Sequence, residues 1–469
     1  MSGLFSTLNS SSMALNAHSR AIETAGKNLA NVNNPNYARQ RVIYGDRGTV
    51  DTPEGAVSLG LEVLSVKQIR DTLLDRQLMR EIGLSGSLDS QQAALSRALA
   101  GLGQDINGSA DVKATGSSTG GLGAAIDDFF NAFQTLASRP TDAGARQTLL
   151  QKANILTSTL NEADTRLGQV QSDIDTDVSA NVDTANNLIS TIADLNSQIA
   201  RFEVSKPGSA VDLRDQRQAR LEDLAAIIPV KVTDLGDGQV KLTVKDAGSA
   251  NIDLLSGNTI YGTLAFNGTA VTGGASATAI ALGSGSMQGS LTVRDGAVQT
   301  LRDNLNSFSS QLVTSVNAAY NPASTAGGDF FNAAGTTAGT IGVNTTLTAA
   351  TLVTGAGAAG DNSIATAVAN LANQNFSVSG GDAFDGTFGQ FYSRSVSDLG
   401  QALSTATSRS ADQDKIQTLV RNQRDTVSGV SMDEEMADLV KFQRAFQASS
   451  RVFSVVDELL DTVVNRLGN

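Results

Sequence analysis

Apolar residues recur every seven positions at both ends of this chain. Near the N-terminus the repeat comprises Leu8, Leu15, Ile22 and Leu29. Near the C-terminus it comprises Leu439, Phe446, Phe453, Leu460 and Leu467, with Phe442, Val456 and Val463 interleaved. A seven-residue repeat keeps one face of a helix turned toward a partner helix. We therefore predict two terminal helices that pair as a coiled coil, with these residues as an assembly interface.

Between the two ends of the chain, the spacing of apolar residues changes from segment to segment. The first helix is expected to end by Pro35, because the residue before a proline is pushed out of the helical region. Residues 39–67 alternate apolar and polar positions around a Gly/Asp/Pro-rich middle, which predicts a hairpin-like segment. Helical periods return over residues 71–106, 124–203, 298–320, 364–373 and 391–427, interrupted at Pro140. Residues 228–289 read as short strands, with a hairpin turn at residues 234–238.

These patterns predict an α+β multidomain chain with three parts. A terminal α-helical coiled-coil domain comprises residues 1–40 and 428–469. A helical-bundle domain comprises residues 41–226 and 290–427 and includes the N-terminal β-hairpin segment. Residues 227–289 are expected to form a small inserted β domain.

Composition argues against catalysis. The chain has 469 residues, no cysteine, a single histidine and a formal net charge of −13. Thiol catalysis, disulfides and cysteine-based metal sites are therefore excluded, and a catalytic triad or zinc site would lack its usual histidines. The acidic charge disfavours a nucleic-acid partner, because phosphate binding needs a concentrated positive surface. We expect no enzyme activity, no cofactor and no metal.

Hydropathy predicts no membrane partner. The chain lacks a run of about eighteen apolar residues that could span a bilayer. Its acidic last helix also lacks the Lys/Arg-rich face of membrane-surface helices. The N-terminus has no pattern of a cleavable secretory signal. Two interpretations remain open: a cytoplasmic protein, or one exported by a dedicated route that needs no such signal.

Local motifs have simple structural interpretations. Ser431 and Glu434 predict a capping box at the start of the last helix. Residues 116–120 match the nucleophile-elbow pattern, and residues 355–360 match the dinucleotide fingerprint, but neither has the surrounding strands and helices that such a site needs. Both are interpreted as loops. His18 lies within the first stripe and is interpreted as a hydrogen-bonded interface histidine.

Polar residues that follow the first stripe carry a family resemblance. They are Asn31, Asn34, Pro35, Tyr37 and Arg39. With their neighbours in residues 21–40, they closely resemble the N-terminal signature of the axial proteins of the bacterial flagellum, which are the rod, hook and hook-associated proteins. Residues 432–449 similarly resemble the closing helix of that family. The family usually has glycine where this chain has Asn36, and asparagine is the residue that best tolerates a positive φ in its place.

A block in the middle of the chain narrows this resemblance. Its residues are Asp212, Leu213, Asp215, Gln216 and Arg217. The block is similar to the hook-associated members that lie at the junction between hook and filament. Residues 193–200 and 328–331 match these members as well. The resemblance implies a structural subunit that allows filament assembly and motility, and that catalyses no reaction.

The resemblance also implies partners and a location. Members of this family are secreted through the flagellar type III export apparatus, with an export chaperone bound at the C-terminal helix. At the distal end of the hook they form a ring with copies of themselves, in which the terminal helices line an inner tube and the β domain faces outward. The implied neighbours are the hook protein and hook-associated protein 3.

Two alternatives remain. Within the same family the chain could be a hook or distal rod protein, although the block at residues 212–217 argues against both. In a different class it could be a secreted adhesin-like surface protein, with the β domain as its binding part.

Overall fold

The computed structural model describes residues 2–52, 55–58, 60–102, 121–357 and 360–463. The chain divides into two compact units. The first comprises Met1–Gly86, Asn181–Gly285 and Asp412–Asn469, and the second comprises Ser87–Ala180 and Ser286–Ala411. Both units contain long helices, and the small antiparallel sheets of the described residues lie in the first unit, which confirms the α+β class. The three-domain boundaries proposed from the sequence stay a prediction.

The helices and strands follow in chain order. The helices are α1 (Ser2–Ala30), α2 (Thr72–Gly101), α3 (Gly121–Ser138), α4 (Ala143–Glu203), α5 (Val211–Ile227), α6 (Ser286–Val293), α7 (Gln299–Tyr320), α8 (Ser363–Asn370), α9 (Phe388–Ser428) and α10 (Met432–Asp461). The strands are β1 (Gln40–Asp46), β2 (Thr49–Thr52), β3 (Gly55–Ser58), β4 (Leu61–Gln68), β5 (Lys231–Asp234), β6 (Val240–Lys245), β7 (Asn251–Ser256), β8 (Thr259–Ile260), β9 (Ala265–Phe266), β10 (Val271–Gly273) and β11 (Thr278–Ala279).

In the first unit the terminal helices α1 and α10 pack against each other, as the heptads predicted. The most buried residues of α1 include Ala17, Ala21 and Ala25, which are 1 to 3 % exposed. Alanine has no long side chain, so it lets neighbouring backbones approach α1 closely. The hairpin of β1 and β4 also packs on α1, with antiparallel pairing and a register shift between Ile43 and Tyr44.

The predicted β segment contains a four-stranded antiparallel sheet in the order β5-β6-β7-β8. Val232 pairs with Leu242 and Asp234 with Val240, as the alternation predicted. A fully buried side chain in α4, Asn196, joins this sheet to the helix. Its Nδ2 donates to the carbonyl oxygens of Val240 (3.0 Å) and Gly257 (2.7 Å).

The second unit is built around aromatic residues. Phe129 and Phe133 of α3 are fully buried, and their ring centroids are 5.2 Å apart. The predicted pairing of residues 124–203 with residues 298–320 is confirmed, because Arg302 of α7 donates to Asp164 of α4 at 2.9 Å. A π-helical turn at Arg294–Val298 joins α6 to α7.

Two helices were only weakly visible in the sequence. α9 is one continuous helix of 41 residues, although its apolar pattern is poor. α5 buries charged residues such as Asp215 and Glu222 together with Leu221 and Leu224. A helix that buries polar and apolar residues together has no clean apolar stripe, so periodicity does not mark it.

Candidate functional site

The N-terminal signature folds into a tight turn between α1 and β1. After α1 ends at Ala30, asparagine side chains bond to nearby backbone groups. Asn31 Nδ2 donates to the carbonyl oxygen of Lys27 at 2.9 Å, and Asn34 Oδ1 accepts the N–H of Asn36 at 3.2 Å. Such local bonds compete with further helical turns. The signature therefore ends the helix and redirects the chain into β1.

Asn36 does not have the positive φ that its replacement of glycine suggested. Among the described non-glycine residues, a positive φ occurs at Ser249, Ala277 and Ser324. The carbonyl oxygen of Asn36 accepts a hydrogen bond from Arg70 Nη2 at 3.0 Å. The turn therefore accommodates asparagine without left-handed strain at this position.

Asn28, in the last turns of α1, is the centre of a buried polar network. Its side chain is 1 % exposed. Its Nδ2 donates to the carbonyl oxygen of Gln40 and to Glu435 Oε2, both at 2.9 Å. Its Oδ1 accepts the Tyr37 hydroxyl at 2.8 Å and the Gln40 N–H at 3.0 Å. All four hydrogen-bonding positions of the amide are used, so one side chain joins α1, the turn, β1 and α10.

Arg39 connects the turn to the start of α10. Its N–H donates to the carbonyl oxygen of Ser428 at 2.8 Å, and its guanidinium lies 2.6 Å from both Glu434 Oε2 and Glu435 Oε1. Ser431 is the N-cap residue of α10, as predicted, but its side chain makes no capping hydrogen bond. The capping-box prediction was therefore wrong, because Arg39 binds the carboxylate that the box requires.

The central block contributes two carboxylates to the same turn. Asp212 Oδ1 accepts Gln40 Nε2 at 2.7 Å, and Asp215 Oδ2 accepts the Ala38 N–H at 3.3 Å. Residues three apart share one face of a helix, so α5 presents both carboxylates together. The structure thus brings the N-terminal signature and the central block into one site, although they are more than 170 positions apart in the chain.

The remaining residues of the block lie elsewhere. Leu213 is half-buried and Gln216 is exposed. Arg217 points toward the β sheet, where its Nη1 donates to Asn196 Oδ1 and to the carbonyl oxygen of Gly238, both at 2.7 Å. Burial lowers the pKa of Arg217 to about 10. Its role is therefore to hold the β5–β6 turn against α4 and α5.

Sequence reasoning missed Arg70, which follows β4. Its Nη2 lies 2.7 Å from Asp215 Oδ1, and its Nη1 lies 3.3 Å from Asp75 Oδ1. The same guanidinium donates to the carbonyl oxygen of Asn36. No local pattern singles out this arginine, because its partners come from the turn, from α2 and from α5.

Arg424 and Glu222 form a second buried pair that the sequence did not reveal. Arg424 Nη1 lies 2.9 Å from Glu222 Oε1, and Nη2 donates to the carbonyl oxygen of Pro35 at 2.9 Å. These partners are 202 and 389 positions away in the chain. Partners so far apart in the chain leave no local sequence pattern. A charged residue in a helical segment is instead expected to face the solvent.

Burial and charge pairing together set the pKa values of the site. It raises the pKa of Asp75, Asp215 and Glu222 above their ordinary values, although each carboxylate faces an arginine. Burial alone would lower the pKa of Arg70, but the adjacent carboxylates outweigh it and raise the pKa. Burial and nearby carboxylates also raise the pKa of Tyr37. Removal of one partner would leave an uncompensated buried charge, which is strongly destabilising.

The predicted interface residues are only partly covered within one chain. Leu8, Leu15, Ile22, Leu29, Leu439, Phe442, Phe453 and Val463 are half-buried. Val456 and Leu460 are buried, whereas Phe446 is 36 % exposed. Leu467 lies outside the described residues. The stripes therefore keep apolar surface that a further helix could cover.

The contacts of His18 and of the glycine fingerprint at residues 355–360 show the structural roles of these two motifs. His18 Nδ1 is buried without a hydrogen-bond partner in the described residues, so the expectation of a fully bonded histidine was wrong, and burial lowers its pKa. In the glycine fingerprint, Gly357 N–H and Ser363 N–H donate to Asp361 at 2.8 and 2.9 Å. This carboxylate closes a turn before α8. Residues 116–120 and 358–359 lie outside the described residues.

Over the described ranges, His, Asp and Glu side chains form no group of three that could hold a metal ion. Within the same ranges, no helix is long and apolar enough to cross a membrane. The arrangement at the turn contains paired charges and one amide, that of Asn28, whose hydrogen-bonding positions are all used. Its chemistry is suited to fixing the directions of α1, β1, α5 and α10.

Family models match two segments of the sequence. The model described as the flagellar hook-associated protein FlgK helical domain matches residues 111–331. The model described as the flagellar basal body rod FlgEFG protein C-terminal matches residues 422–467. The second segment includes α10 and the end of α9.

Relatives match along the full chain. The sequence is 26 % identical to flagellar hook-associated protein 1 of Bacillus subtilis, with 100 % of this chain and 99 % of that protein covered. It is 25 % identical to flagellar hook-associated protein 1 of Escherichia coli, with 98 and 99 % covered. A solved structure of the flagellar hook junction protein FlgK from Burkholderia pseudomallei is 23 % identical, covers 55 % of this chain and 46 % of that one, and has a TM-score of 0.46.

Proposed function

Because the chain belongs to the family of flagellar hook-associated proteins, we propose that it is a structural subunit at the junction between the hook and the filament. The observation that supports this role most directly is the buried site around Asn28. There the axial signature and the central carboxylates hold α1 and α10 in fixed directions. Terminal helices held in fixed directions suit a subunit that assembles through its two ends.

The half-exposed stripes supply the proposed contacts between subunits. Copies of the chain form a ring in which α1 and α10 of neighbouring subunits cover each other's stripes. Burial of such apolar surface contributes about 25 cal/mol for each Å² removed from water. Flagellar neighbours on either side of the ring, among them the hook protein and hook-associated protein 3, complete the assembly. Export occurs through the flagellar type III apparatus, with a chaperone on the C-terminal helix.

Gene deletion tests the junction role. We expect the deletion strain to keep its hooks, to lose its filaments and to shed filament protein into the medium, and we expect complementation with the intact gene to restore swimming. Electron microscopy of detached hooks and immunoblots of the medium provide the readouts. Loss of the hooks themselves would indicate the hook or distal rod alternative, and normal swimming would indicate the adhesin-like alternative.

Charge substitution in the stripe tests the interface. Phe446→Asp and Phe453→Asp are expected to block filament formation, because a carboxylate in an apolar contact has no partner. Val378→Asp is the matched control, since Val378 is 56 % exposed outside the terminal helices. Circular dichroism of the purified variants checks that they remain folded. Filaments of normal number on cells with either stripe variant would exclude these residues from the interface.

A further inference from the structure

A groove lies between α2, the end of α5 and the β5–β6 hairpin of the first unit. Its volume is about 480 Å³, within the range of about 300–1,000 Å³ typical of small-molecule sites. Met79, Ile228 and Val244 line it and are at most 7 % exposed, so its inner wall is apolar. The groove therefore suits the apolar part of a small molecule.

Backbone contacts fix one wall of the groove. Ser284 lies in this wall, and the next residue, Gly285, donates its N–H to the carbonyl oxygen of Gly83 in α2 at 2.8 Å. Gly285 has a φ of +88°, and a Cβ at this position would collide with the backbone of Ile227. Only glycine permits this close approach. The wall is therefore preformed, as the walls of ligand sites usually are.

Four basic side chains border the groove. They are Arg76, Arg80, Lys231 and Lys245. All four are exposed, and in the described ranges no carboxylate lies within salt-bridge distance of any of them. Their positions make them repel each other. Arg76 and Arg80 are four residues apart in α2, a spacing at which like charges destabilise a helix.

The two lysines are also placed as a like-charge pair. Lys231 of β5 pairs with Thr243 of β6, so Lys245, two residues further along β6, is its diagonal neighbour on the same face of the sheet. Long side chains at diagonal positions are within reach of each other. An anion bound in the groove would relieve the repulsion on both the helix and the hairpin.

Acidic residues close to the groove already have partners. Asp246 lines the groove, but its Oδ1 accepts the Ala250 N–H at 2.8 Å in the turn between β6 and β7. Asp253 of β7 is paired with Lys241 at 2.9 Å. The border of the groove therefore keeps an excess of positive charge, although the whole chain has a net charge of −13.

We propose that this groove binds a small amphipathic anion, with its apolar part against Met79, Ile228 and Val244 and its acidic group at the arginine and lysine side chains. Burial of the apolar part supplies most of the affinity, because it removes apolar surface from water. The basic border selects an acidic ligand over a neutral one of the same shape. The site is complete within one chain, so it does not depend on the proposed ring of subunits.

Methyl NMR of the full-length chain, labelled at the methionine methyl carbons, tests the site. Decanoate, below its micelle concentration, is the probe, and decanol is the matched neutral molecule. We expect a saturable shift of the Met79 methyl signal, with decanoate bound about tenfold more tightly than decanol. Met432 and Met436 of α10 are 54 and 49 % exposed and report indiscriminate adsorption. Shifts confined to these two signals, or equal affinities for the two probes, would overturn the proposal.

Charge variants provide the second arm of the test. Lys231→Gln with Lys245→Gln is expected to weaken decanoate binding about tenfold and to leave decanol binding unchanged, whereas Lys231→Arg with Lys245→Arg retains both. Lys206→Gln with Lys415→Gln is the matched control, since both lysines are exposed and neither lines the groove. Circular dichroism checks that each variant is folded. Equal decanoate affinity in the two glutamine variants would exclude the basic border and overturn the proposal.

Discussion

The aromatic core of the second unit and the polar site between the end of α1 and the start of α10 are held together by different kinds of contact. In the core, Phe129 contacts the rings of Phe133 and Phe331 with centroids 5.2 and 5.7 Å apart. At the polar site, Asn28 and Arg70 instead hold their neighbours through hydrogen bonds and ion pairs. Both regions are deeply buried. They differ in how strongly each contact depends on direction.

That difference explains why polar residues lie where α1 ends and α10 begins. Ring packing stabilises through buried area and tolerates small shifts of each ring. Hydrogen bonds and ion pairs weaken when donor and acceptor are misaligned, and a buried group left without its partner costs the full desolvation penalty. The core therefore supplies stability, whereas the polar site sets the orientation of α1 and α10.

The largest effect is expected from truncation in the aromatic core. Phe129→Ala should lower the free energy of unfolding by about 3–5 kcal/mol, because it removes buried area and leaves a cavity. Urea unfolding measures the change. The control is Phe391→Ala, since that ring stacks on Phe384 at a centroid distance of 4.2 Å but is only half-buried. Equal losses in the two variants would contradict the cavity explanation.

A slightly smaller effect is expected at the buried ion pair. Arg424→Met should cost about 3 kcal/mol, because Glu222 then keeps a buried charge without a partner. The double variant Arg424→Met/Glu222→Met should recover most of that loss. Urea unfolding of the two single variants and the double variant gives the coupling energy. A double variant as unstable as Arg424→Met would show that the unpaired charge of Glu222 is not the cause of the loss.

A moderate effect is expected at Asn28. Asn28→Ala should cost about 1–3 kcal/mol, since it leaves the Gln40 backbone and the Tyr37 hydroxyl without their bonds. Hydrogen exchange should speed up first at the start of β1, where the Gln40 N–H loses its acceptor. Asn16→Ala on the exposed face of α1 is the control. Unchanged exchange at Gln40 would show that Asn28 does not orient the strand.

The smallest effect concerns acid sensitivity at Glu203. Burial alone would raise its pKa, but hydrogen bonds from Arg214 and the Ala210 N–H outweigh burial and lower it below the ordinary value of 4.5. A lowered pKa stabilises the fold above about pH 4.5, and this contribution is lost as the pH falls through the folded-state pKa. Glu203→Gln should therefore be less stable than the native chain at pH 7, with a difference that narrows by pH 3.5. Urea unfolding at both values tests this, and a constant difference would contradict it.

The sequence by itself determined the elements with strong local patterns. The heptads identified α1 and α10, alternation around residues 234–238 identified the β5–β6 hairpin, and Pro35 limited the first helix. These signals are local because a helical stripe or a turn depends on residues within a few positions of one another. The family resemblance also singles out Tyr37, Arg39, Asp212 and Asp215, although it does not specify their contacts.

Only the tertiary structure decided how those residues are used. Glu434 could have completed a capping box with Ser431, but Arg39 binds its carboxylate instead. Arg70 and Arg424 join the site through partners on other elements, and Asn36 lies in the turn without a positive φ. A buried charge is costly unless it is paired, and its partner can lie hundreds of positions away in the chain. Which residue becomes the partner is therefore set only when the helices pack together.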